Sequence, residues 1–129
     1  MEAEAVKHLP DTELAVMKAI WACGEDVSRA AMEPYIEEYH WTANAINTYL
    51  TRLAEKGFVT SRKEGKALLY TPLVSRDEYL AYDSRRVLKS LYDGKPKNFL
   101  AALVSNGINR QDVAELRAML DEISEGGND

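Results

Sequence analysis

The hydrophobic pattern departs from helical spacing in one segment of this chain, residues 58–72, and that departure limits the fold more than any other feature. Before residue 57, apolar residues recur every three or four positions, which is the spacing of amphipathic helices. After it this helical spacing stops, and residues 58–63 and 66–72 form two short runs separated by Glu64-Gly65. Two short β-like runs joined by a tight glycine turn favour an antiparallel hairpin. The pattern therefore predicts helices followed directly by a hairpin.

Three helices are predicted before the hairpin. The first covers residues 12–23, with Asp11 as its N-cap and Gly24 as its stop. Ser28 can cap the second helix, but Pro34 lies too far inside it for a first-turn proline. We therefore expect the second helix either to kink at Pro34 or to begin near it.

The third helix has the clearest pattern in the chain. Thr42 is its predicted N-cap, and Lys56-Gly57 is a typical helix end. Its apolar stripe consists of Ile46, Tyr49, Leu50 and Leu53. Its opposite face carries small or short polar side chains at Ala43, Asn44, Asn47, Thr48 and Thr51. We therefore expect one face of this helix to be buried and the other to be exposed.

Three further helices are predicted after the hairpin. The first has Ser75 as its N-cap and stops at Asp93-Gly94, and a short second one ends at Asn106-Gly107. The last begins at Asn109, which resembles a capping box together with Asp112. No internal repeat or low-complexity tract appears in the sequence.

Charge is distributed unevenly along the chain. The formal net charge is −5, which taken alone argues against nucleic-acid binding, because such a domain is expected to be basic. Residues 1–40, however, hold nine acidic and three basic residues, whereas residues 41–76 hold two acidic and six basic ones. The basic segment coincides with the third helix and the hairpin. This favours an anionic partner at that place, although a solvated charged face explains the asymmetry equally well.

Composition and motifs exclude several classes of protein. No run of 18 apolar residues occurs, and the stretch MEAEAVKHLP has acidic residues where a signal peptide has basic ones. We therefore expect a cytoplasmic protein without membrane insertion. One cysteine and two histidines form no metal-ligand motif, and no glycine-rich phosphate loop or catalytic constellation is present. No enzymatic activity, metal or cofactor is expected.

Three helices followed by a hairpin are typical of a winged helix-turn-helix domain, in which the third helix enters the major groove and the hairpin, or wing, contacts the flanking backbone. The base contacts predicted on this interpretation are Ala43, Asn44, Asn47 and Thr48. The predicted phosphate contacts are Thr42, Thr51, Arg52, Arg62, Lys63 and Lys66. The alternative is that the Asn and Thr side chains only solvate an exposed helix face.

The predicted fold class is mainly α with a small β-hairpin wing. Residues 1–75 form the winged helix-turn-helix domain, residues 76–124 a helical dimerisation domain, and residues 125–129 a disordered tail. The apolar stripes after residue 75 are too extensive for a two-stranded wing to cover, so we expect a homodimer that binds a palindromic operator. The predicted dimer contacts are Tyr79, Tyr82, Leu88, Leu91, Tyr92, Phe99, Leu103, Val113, Leu116, Leu120 and Ile123.

A second interpretation of the same fold remains open. A winged helix can act as a protein-interaction module without binding DNA, here by presenting its acidic first two helices to a basic partner. The basic residues on the third helix and the wing favour DNA binding. A wing tip buried between subunits would instead favour the interaction module.

Residues 41–59, WTANAINTYLTRLAEKGFV, followed by Leu69-Tyr70 and Leu73-Val74, resemble the signature of the BlaI/MecI/CopY family of penicillinase-repressor-type winged-helix regulators. Residues 13–21, ELAVMKAIW, are similar to that family too, and the resemblance extends from about Leu9 to Leu120. It implies a dimeric repressor with an N-terminal DNA-binding domain and a helical C-terminal dimerisation arm. The implied target is a palindromic operator of a resistance or homeostasis operon.

Departures from the family pattern bear on function. Family members commonly have Thr at the position of Ala45 and often a basic residue at that of Asn44, so the operator half-site is expected to differ. In the β-lactam-responsive members an Asn-Phe bond of the arm is cleaved, which implies a membrane sensor protease as a partner. Asn98 and Phe99 form such a pair, but earlier than the family site. The cysteine-rich motif of the copper-responsive branch is missing, so direct copper sensing is not expected.

Overall fold

The helices and strands occur in the predicted order. The structure, a computed structural model, describes residues 6–126. Within them the elements are α1 (Asp11–Cys23), α2 (Arg29–Ile36), a 3₁₀ turn (Glu37–Tyr39), α3 (Ala43–Glu55), β1 (Val59–Glu64), β2 (Ala67–Pro72), α4 (Arg76–Leu91), α5 (Pro96–Ser105) and α6 (Arg110–Glu125). An N-terminal unit ends at Ser84, and a C-terminal unit begins at Arg85. None of these helices is both long and apolar enough to cross a lipid bilayer.

Helix α1 lies at the centre of the N-terminal unit, where it contacts α2, α3 and β2. The predicted apolar stripe of α3 is confirmed, since Ile46, Leu50 and Leu53 are buried. Burying one stripe of an amphipathic helix leaves its polar residues on the outside. The buried residues of α1 and α2 that complete this core are Val16, Met17, Ala19, Ile20, Met32 and Ile36.

The helix caps agree with the predictions at three of four places. Ser28 Oγ accepts a hydrogen bond from the Ala31 amide at 3.1 Å, and Thr42 Oγ1 accepts one from the Ala45 amide at 3.0 Å. Gly24 ends α1 with a φ of +107°, a conformation that glycine adopts without strain. Asp11, by contrast, is not the N-cap, because it is already the first residue of the helix and its charge meets the positive helix end.

Pro34 lies inside α2, so the expectation that this helix begins near the proline is wrong. The helix begins at Arg29, directly after its Ser28 cap. Proline has no amide hydrogen to donate to the carbonyl one turn earlier. The α-helix ends two residues later, at Ile36, and the chain continues as the 3₁₀ turn. The proline therefore coincides with the last turn of a short helix.

The hairpin is confirmed, but its turn lies one residue later than predicted. Val59 pairs with Pro72 and Glu64 pairs with Ala67, so Gly65 and Lys66 form the two-residue turn. Gly65 has a φ of +63°, which suits the first position of a type II′ turn. Lys66 therefore stands at the tip of the wing and not within the second strand.

An isolated β-bridge joins the wing to the segment between α1 and α2. The Val27 amide donates to the Tyr70 carbonyl at 2.8 Å, and the Tyr70 amide donates to the Val27 carbonyl at 2.9 Å. Beside it, the Asp26 amide donates to Thr71 Oγ1 at 3.0 Å. The segment between α1 and α2 thus acts as a third, very short strand. The sequence pattern contained no indication of it.

Tyr79 belongs to the core of the N-terminal unit, which corrects its prediction as a dimer contact. It is 2 % exposed, and its hydroxyl accepts a hydrogen bond from the Leu9 amide at 3.0 Å. Its ring lies 6.0 Å from that of Trp21 and 5.8 Å from that of Phe58. Tyr82 is partly buried and packs against the same core. Helical spacing identified these tyrosines as packing residues but did not reveal their partner.

The helix starts in the C-terminal half are also as predicted. Ser75 Oγ accepts from the Glu78 amide while Glu78 Oε1 accepts from the Ser75 amide, which is a complete capping box. Asn109 Oδ1 accepts from the Asp112 amide at 2.8 Å. Helix α6 extends to Glu125, so the tail predicted as disordered is helical at its first residue. Residues 127–129 of that tail lie outside the described residues.

An ion pair joins α1 to the end of α3. The Lys56 ammonium donates a hydrogen bond to Glu13, a carboxylate only 2 % exposed. The Lys56 side chain is 26 % exposed, so the pair is partly screened by solvent. The sequence pattern indicates only that Lys56 lies at the end of the helix. Its contact with Glu13 compensates a charge that would otherwise be buried alone.

Replacing Lys56 with Met should therefore leave the Glu13 carboxylate without a partner. We expect Lys56→Met to lower the free energy of unfolding by about 1–3 kcal/mol, less than for a fully buried pair. The double variant Glu13→Met, Lys56→Met should recover most of that loss. Denaturant unfolding at one fixed protein concentration measures both, with the exposed Lys18→Met as the control. Equal stability of Lys56→Met and Lys18→Met would contradict the role of the pair.

Candidate nucleic-acid interface

The outer face of α3 presents every base contact predicted from the sequence. Ala43, Asn44, Asn47 and Thr48 are exposed, as are Thr51 and Arg52. Thr48 Oγ1 donates a hydrogen bond to the Asn44 carbonyl at 3.0 Å, so its proton is used within the helix. Its methyl group and hydroxyl lone pairs remain available. The face thus offers amide, hydroxyl and methyl groups of the kind that contact base edges.

Arg29 is a member of this surface that sequence reasoning missed. It is the first residue of α2, and its Nη1 donates a hydrogen bond to Asn47 Oδ1 on α3 at 3.3 Å. Its Nε lies 3.8 Å from Glu33 Oε2. One sequence feature could have drawn attention to it, since Arg29 is the only basic residue between Lys18 and Arg52.

An open cleft of about 630 Å³ separates the start of α2, the middle of α3 and the beginning of β2. Arg29 lies on one side of this cleft and Lys66, at the wing tip, on the other. The remaining residues that line it are Ser28, Ala30, Asn47, Thr51, Ala67, Leu68 and Tyr70. Two positive charges and no acidic side chain among these residues make the cleft suited to an anionic group.

Tyr70 contributes a neutral hydroxyl to the cleft. Burial raises the pKa of this phenol, and the nearby Arg29 charge opposes the shift only in part. The hydroxyl therefore stays protonated at physiological pH and can donate a hydrogen bond.

The basic residues of the wing differ in their surroundings. Arg62 Nε donates to Asp26 Oδ1 at 3.0 Å, and Arg62 Nη2 lies 3.7 Å from Glu64 Oε1. Within residues 6–126, Lys63 and Lys66 form no ion pair. Arg62 thus ties the wing to the segment before α2, while the two lysines are free to attract an anion.

The C-terminal unit carries large apolar side chains on its surface. The exposed fractions are 71 % for Leu91, 57 % for Leu120 and 56 % for Ile123. Phe99, Leu103 and Val113 are exposed as well, whereas Leu88, Tyr92 and Leu116 are half-buried. Helices α5 and α6 contain no buried residue. The apolar stripes predicted from the sequence are therefore on the surface of the isolated chain.

The Asn98-Phe99 peptide lies in the first turn of α5. Asn98 Nδ2 donates a hydrogen bond to the Tyr92 carbonyl at 3.2 Å, and the Phe99 ring packs edge-on against Tyr92 at 5.5 Å. A protease binds its substrate as an extended chain, so this turn would have to unwind before cleavage.

Comparison with known proteins identifies the family. The family model described as penicillinase repressor matches residues 9–122. The chain belongs to the penicillinase repressor family. The penicillinase repressor of Bacillus licheniformis is 27 % identical over 118 residues, which cover 91 % of this chain and 92 % of that protein. The methicillin resistance regulatory protein MecI of Staphylococcus aureus strain N315 is 26 % identical, over 92 % of this chain and 89 % of its own length.

A solved structure supports the same assignment within the penicillinase repressor family. The solution structure of the DNA-binding domain of the repressor BlaI is similar, with a TM-score of 0.51 and 29 % sequence identity. The match covers 60 % of this chain and 94 % of that domain. The predicted class, mainly helical with a hairpin wing, is therefore confirmed, and so is the resemblance to the BlaI and MecI repressors.

The contact between Arg62 and Asp26 can be tested by titration. The hydrogen bond from Arg62, assisted by its charge, holds the pKa of Asp26 below the ordinary value of 3.8. The folded state thus favours the charged carboxylate. The pair therefore stabilises the fold at pH values above the ordinary pKa of Asp26, and this stabilisation is lost as the pH falls through the lowered pKa. We expect Arg62→Met to return the pKa of Asp26 toward 3.8. Carbon-detected NMR of the carboxyl group measures it, and Lys63→Met should leave it unchanged. An unaltered Asp26 titration in Arg62→Met would rule out the contact.

Proposed function

We propose that this member of the penicillinase repressor family is a cytoplasmic, homodimeric repressor that binds a palindromic DNA operator and controls a resistance or homeostasis operon. The observation that carries the proposal is that Asn47 and Thr51 of the polar face of α3 line one cleft together with Arg29 and Lys66, on a frame similar to a DNA-binding domain. No catalytic step or cofactor is part of the proposal.

In this proposal α3 enters the major groove and the wing follows the neighbouring backbone. Ala43, Asn44, Asn47 and Thr48 contact base edges. The groups assigned to phosphates are the N-terminal end of α3 and the side chains of Thr42, Thr51, Arg52, Arg62, Lys63 and Lys66. Arg62 would keep its bond to Asp26 through Nε and offer its remaining guanidinium donors.

The proposed dimer rests mainly on apolar residues of the C-terminal unit. Helices without a buried residue gain little from folding alone, because hydrophobic burial is the main favourable contribution to folding. A second copy of the chain offers the same stripes and closes the contact by twofold symmetry. The proposed dimer contacts are Tyr82, Leu88, Leu91, Tyr92, Phe99, Leu103, Val113, Leu116, Leu120 and Ile123. Two such domains related by a twofold axis suit a palindrome.

A membrane sensor protease is the proposed inactivating partner. Cleavage between Asn98 and Phe99 would separate α4 from most of α5 and from α6. The apolar residues of the dimer contact would then lie on two fragments, and the gain from binding both at once would be lost.

Affinity for DNA should depend steeply on salt. If a dimer makes six to ten phosphate contacts, its affinity falls roughly 10³–10⁵-fold between 50 and 200 mM salt because bound counterions are released. Lys66→Ala should weaken binding to all sequences alike and flatten the slope, whereas the control Lys18→Ala on acidic α1 should not. Fluorescence anisotropy with the promoter DNA of the protein's own gene measures both. A salt-independent signal would favour the protein-interaction module instead.

The dimer can be tested with two matched leucines. Leu120 in α6 is 57 % exposed, and Leu73 after the hairpin is 58 % exposed. We expect Leu120→Asp to weaken self-association at least tenfold, because a charge would be buried in the subunit contact, and Leu73→Asp to have no effect. Sedimentation equilibrium measures the dissociation constant. A monomeric wild-type protein, or an equal effect of both substitutions, would refute the proposed dimer.

A further inference from the structure

The hydrogen bond between Arg29 and Asn47 joins two helices at the centre of the proposed interface. Asn47 belongs both to the cleft beside the wing and to the polar face of α3 formed with Asn44, Thr48 and Thr51. The Arg29 side chain is 42 % exposed, so the contact lies at the surface where a ligand would approach. Both residues are therefore placed to touch the same bound molecule.

Arg29 determines the direction of the Asn47 amide. A guanidinium group carries hydrogen-bond donors only, so the amide can turn only its oxygen toward it. Asn47 Oδ1 accordingly accepts from Arg29 Nη1 at 3.3 Å. The Nδ2 group consequently points away from Arg29, and it has no hydrogen-bond partner among residues 6–126. What Asn47 presents outward is a donor.

A free asparagine recognises adenine through both ends of its amide. Its oxygen accepts from the adenine N6 amino group while its nitrogen donates to N7. Oδ1 has two lone pairs and Arg29 already occupies one of them, which weakens the accepting half of that pattern. The donors of Arg29 that meet no acceptor within residues 6–126 add to the mismatch, because the adenine amino group is itself a donor. Guanine, in contrast, presents two acceptors, O6 and N7, in the major groove.

We propose that Arg29 is a positioning residue that makes Asn47 select guanine over adenine at one position of each operator half-site. The inference rests on the proposed DNA binding and goes beyond it by assigning a base preference to a pair of residues. Glu33 Oε2 lies 3.8 Å from Arg29 Nε, beyond hydrogen-bond distance. Arg29 Nη1 is therefore not drawn away from Asn47 by a hydrogen bond of Nε to this acid.

Lys66 provides a matched control for Arg29. Both side chains contribute one positive charge to the same cleft, from opposite sides. A neutral side chain at either position removes one positive charge from the cleft. Only the change at Arg29 releases the Asn47 amide. A difference in base preference between the two variants thus reports positioning and not charge.

The experiment is selection of bound sequences from random double-stranded DNA with the full-length protein. Wild type should enrich guanine at one half-site position, and Asn47→Ala should lose discrimination there, which identifies the base. Arg29→Met should shift that position from guanine to adenine by about tenfold, the scale of one bidentate base contact. Lys66→Met should keep the wild-type motif with weaker binding. Anisotropy with two duplexes that differ in this base pair alone verifies the ratio.

Several results would overturn the inference. If Arg29→Met keeps the guanine preference and binds every sequence more weakly, Arg29 is only a phosphate contact, while DNA binding itself stands. If Asn47→Ala changes the base preference at no position of the selected sequences, Asn47 does not contribute to base recognition. If the wild-type protein enriches nothing, the proposed function fails together with the inference. Arg29→Lys is the second variant, because it retains a donor for Asn47 Oδ1 and should therefore retain guanine.

Discussion

The two backbone hydrogen bonds between Val27 and Tyr70 hold the N-terminal unit in its functional arrangement. They fix β2 against the segment that leads directly into α2, and the ion pair of Asp26 with Arg62 strengthens the same junction. Because Ser28 and Arg29 follow at once, the start of α2 faces both the wing and the middle of α3. An isolated two-stranded hairpin is only marginally stable, and the bridge adds a hydrogen-bonded neighbour to β2 beside the packing of Val59 and Tyr70 in the core.

Local rules explain why much of the fold could be predicted. The caps at Ser28 and Thr42 and the stop at Gly24 depend on groups within four residues, so the sequence contains the information they need. Tyr79 shows the limit of this reasoning. Its spacing indicates a packed face, but whether that face meets a second copy or the aromatic rings of Trp21 and Phe58 depends on distant parts of the chain. The short strand at Val27 could not be predicted for the same reason.

The candidate interface could likewise be predicted from the sequence only in part. The polar face of α3 could be predicted because it is the opposite of a clear apolar stripe. The role of Arg29 could not, since its contact with Asn47 spans 18 positions and exists only once α2 and α3 are packed. The sequence identifies Arg62 as a basic residue of the wing, but it does not indicate the hydrogen bond to Asp26, which lies 36 positions earlier. Tertiary contacts thus decide which basic residues remain free and which serve as anchors.

The lack of buried residues in α5 and α6 has a consequence for how a repressor of this kind responds to its own abundance. If these helices reach a stable fold only on a second copy, subunit concentration contributes to folding by mass action. A fall in synthesis would then have two effects. It would lower the number of chains, and it would reduce the fraction of the remaining chains whose α5 and α6 are stably folded. The fraction of folded dimer would then fall more steeply than the total concentration of the chain. A modest decline in that concentration would therefore end repression of the target gene abruptly.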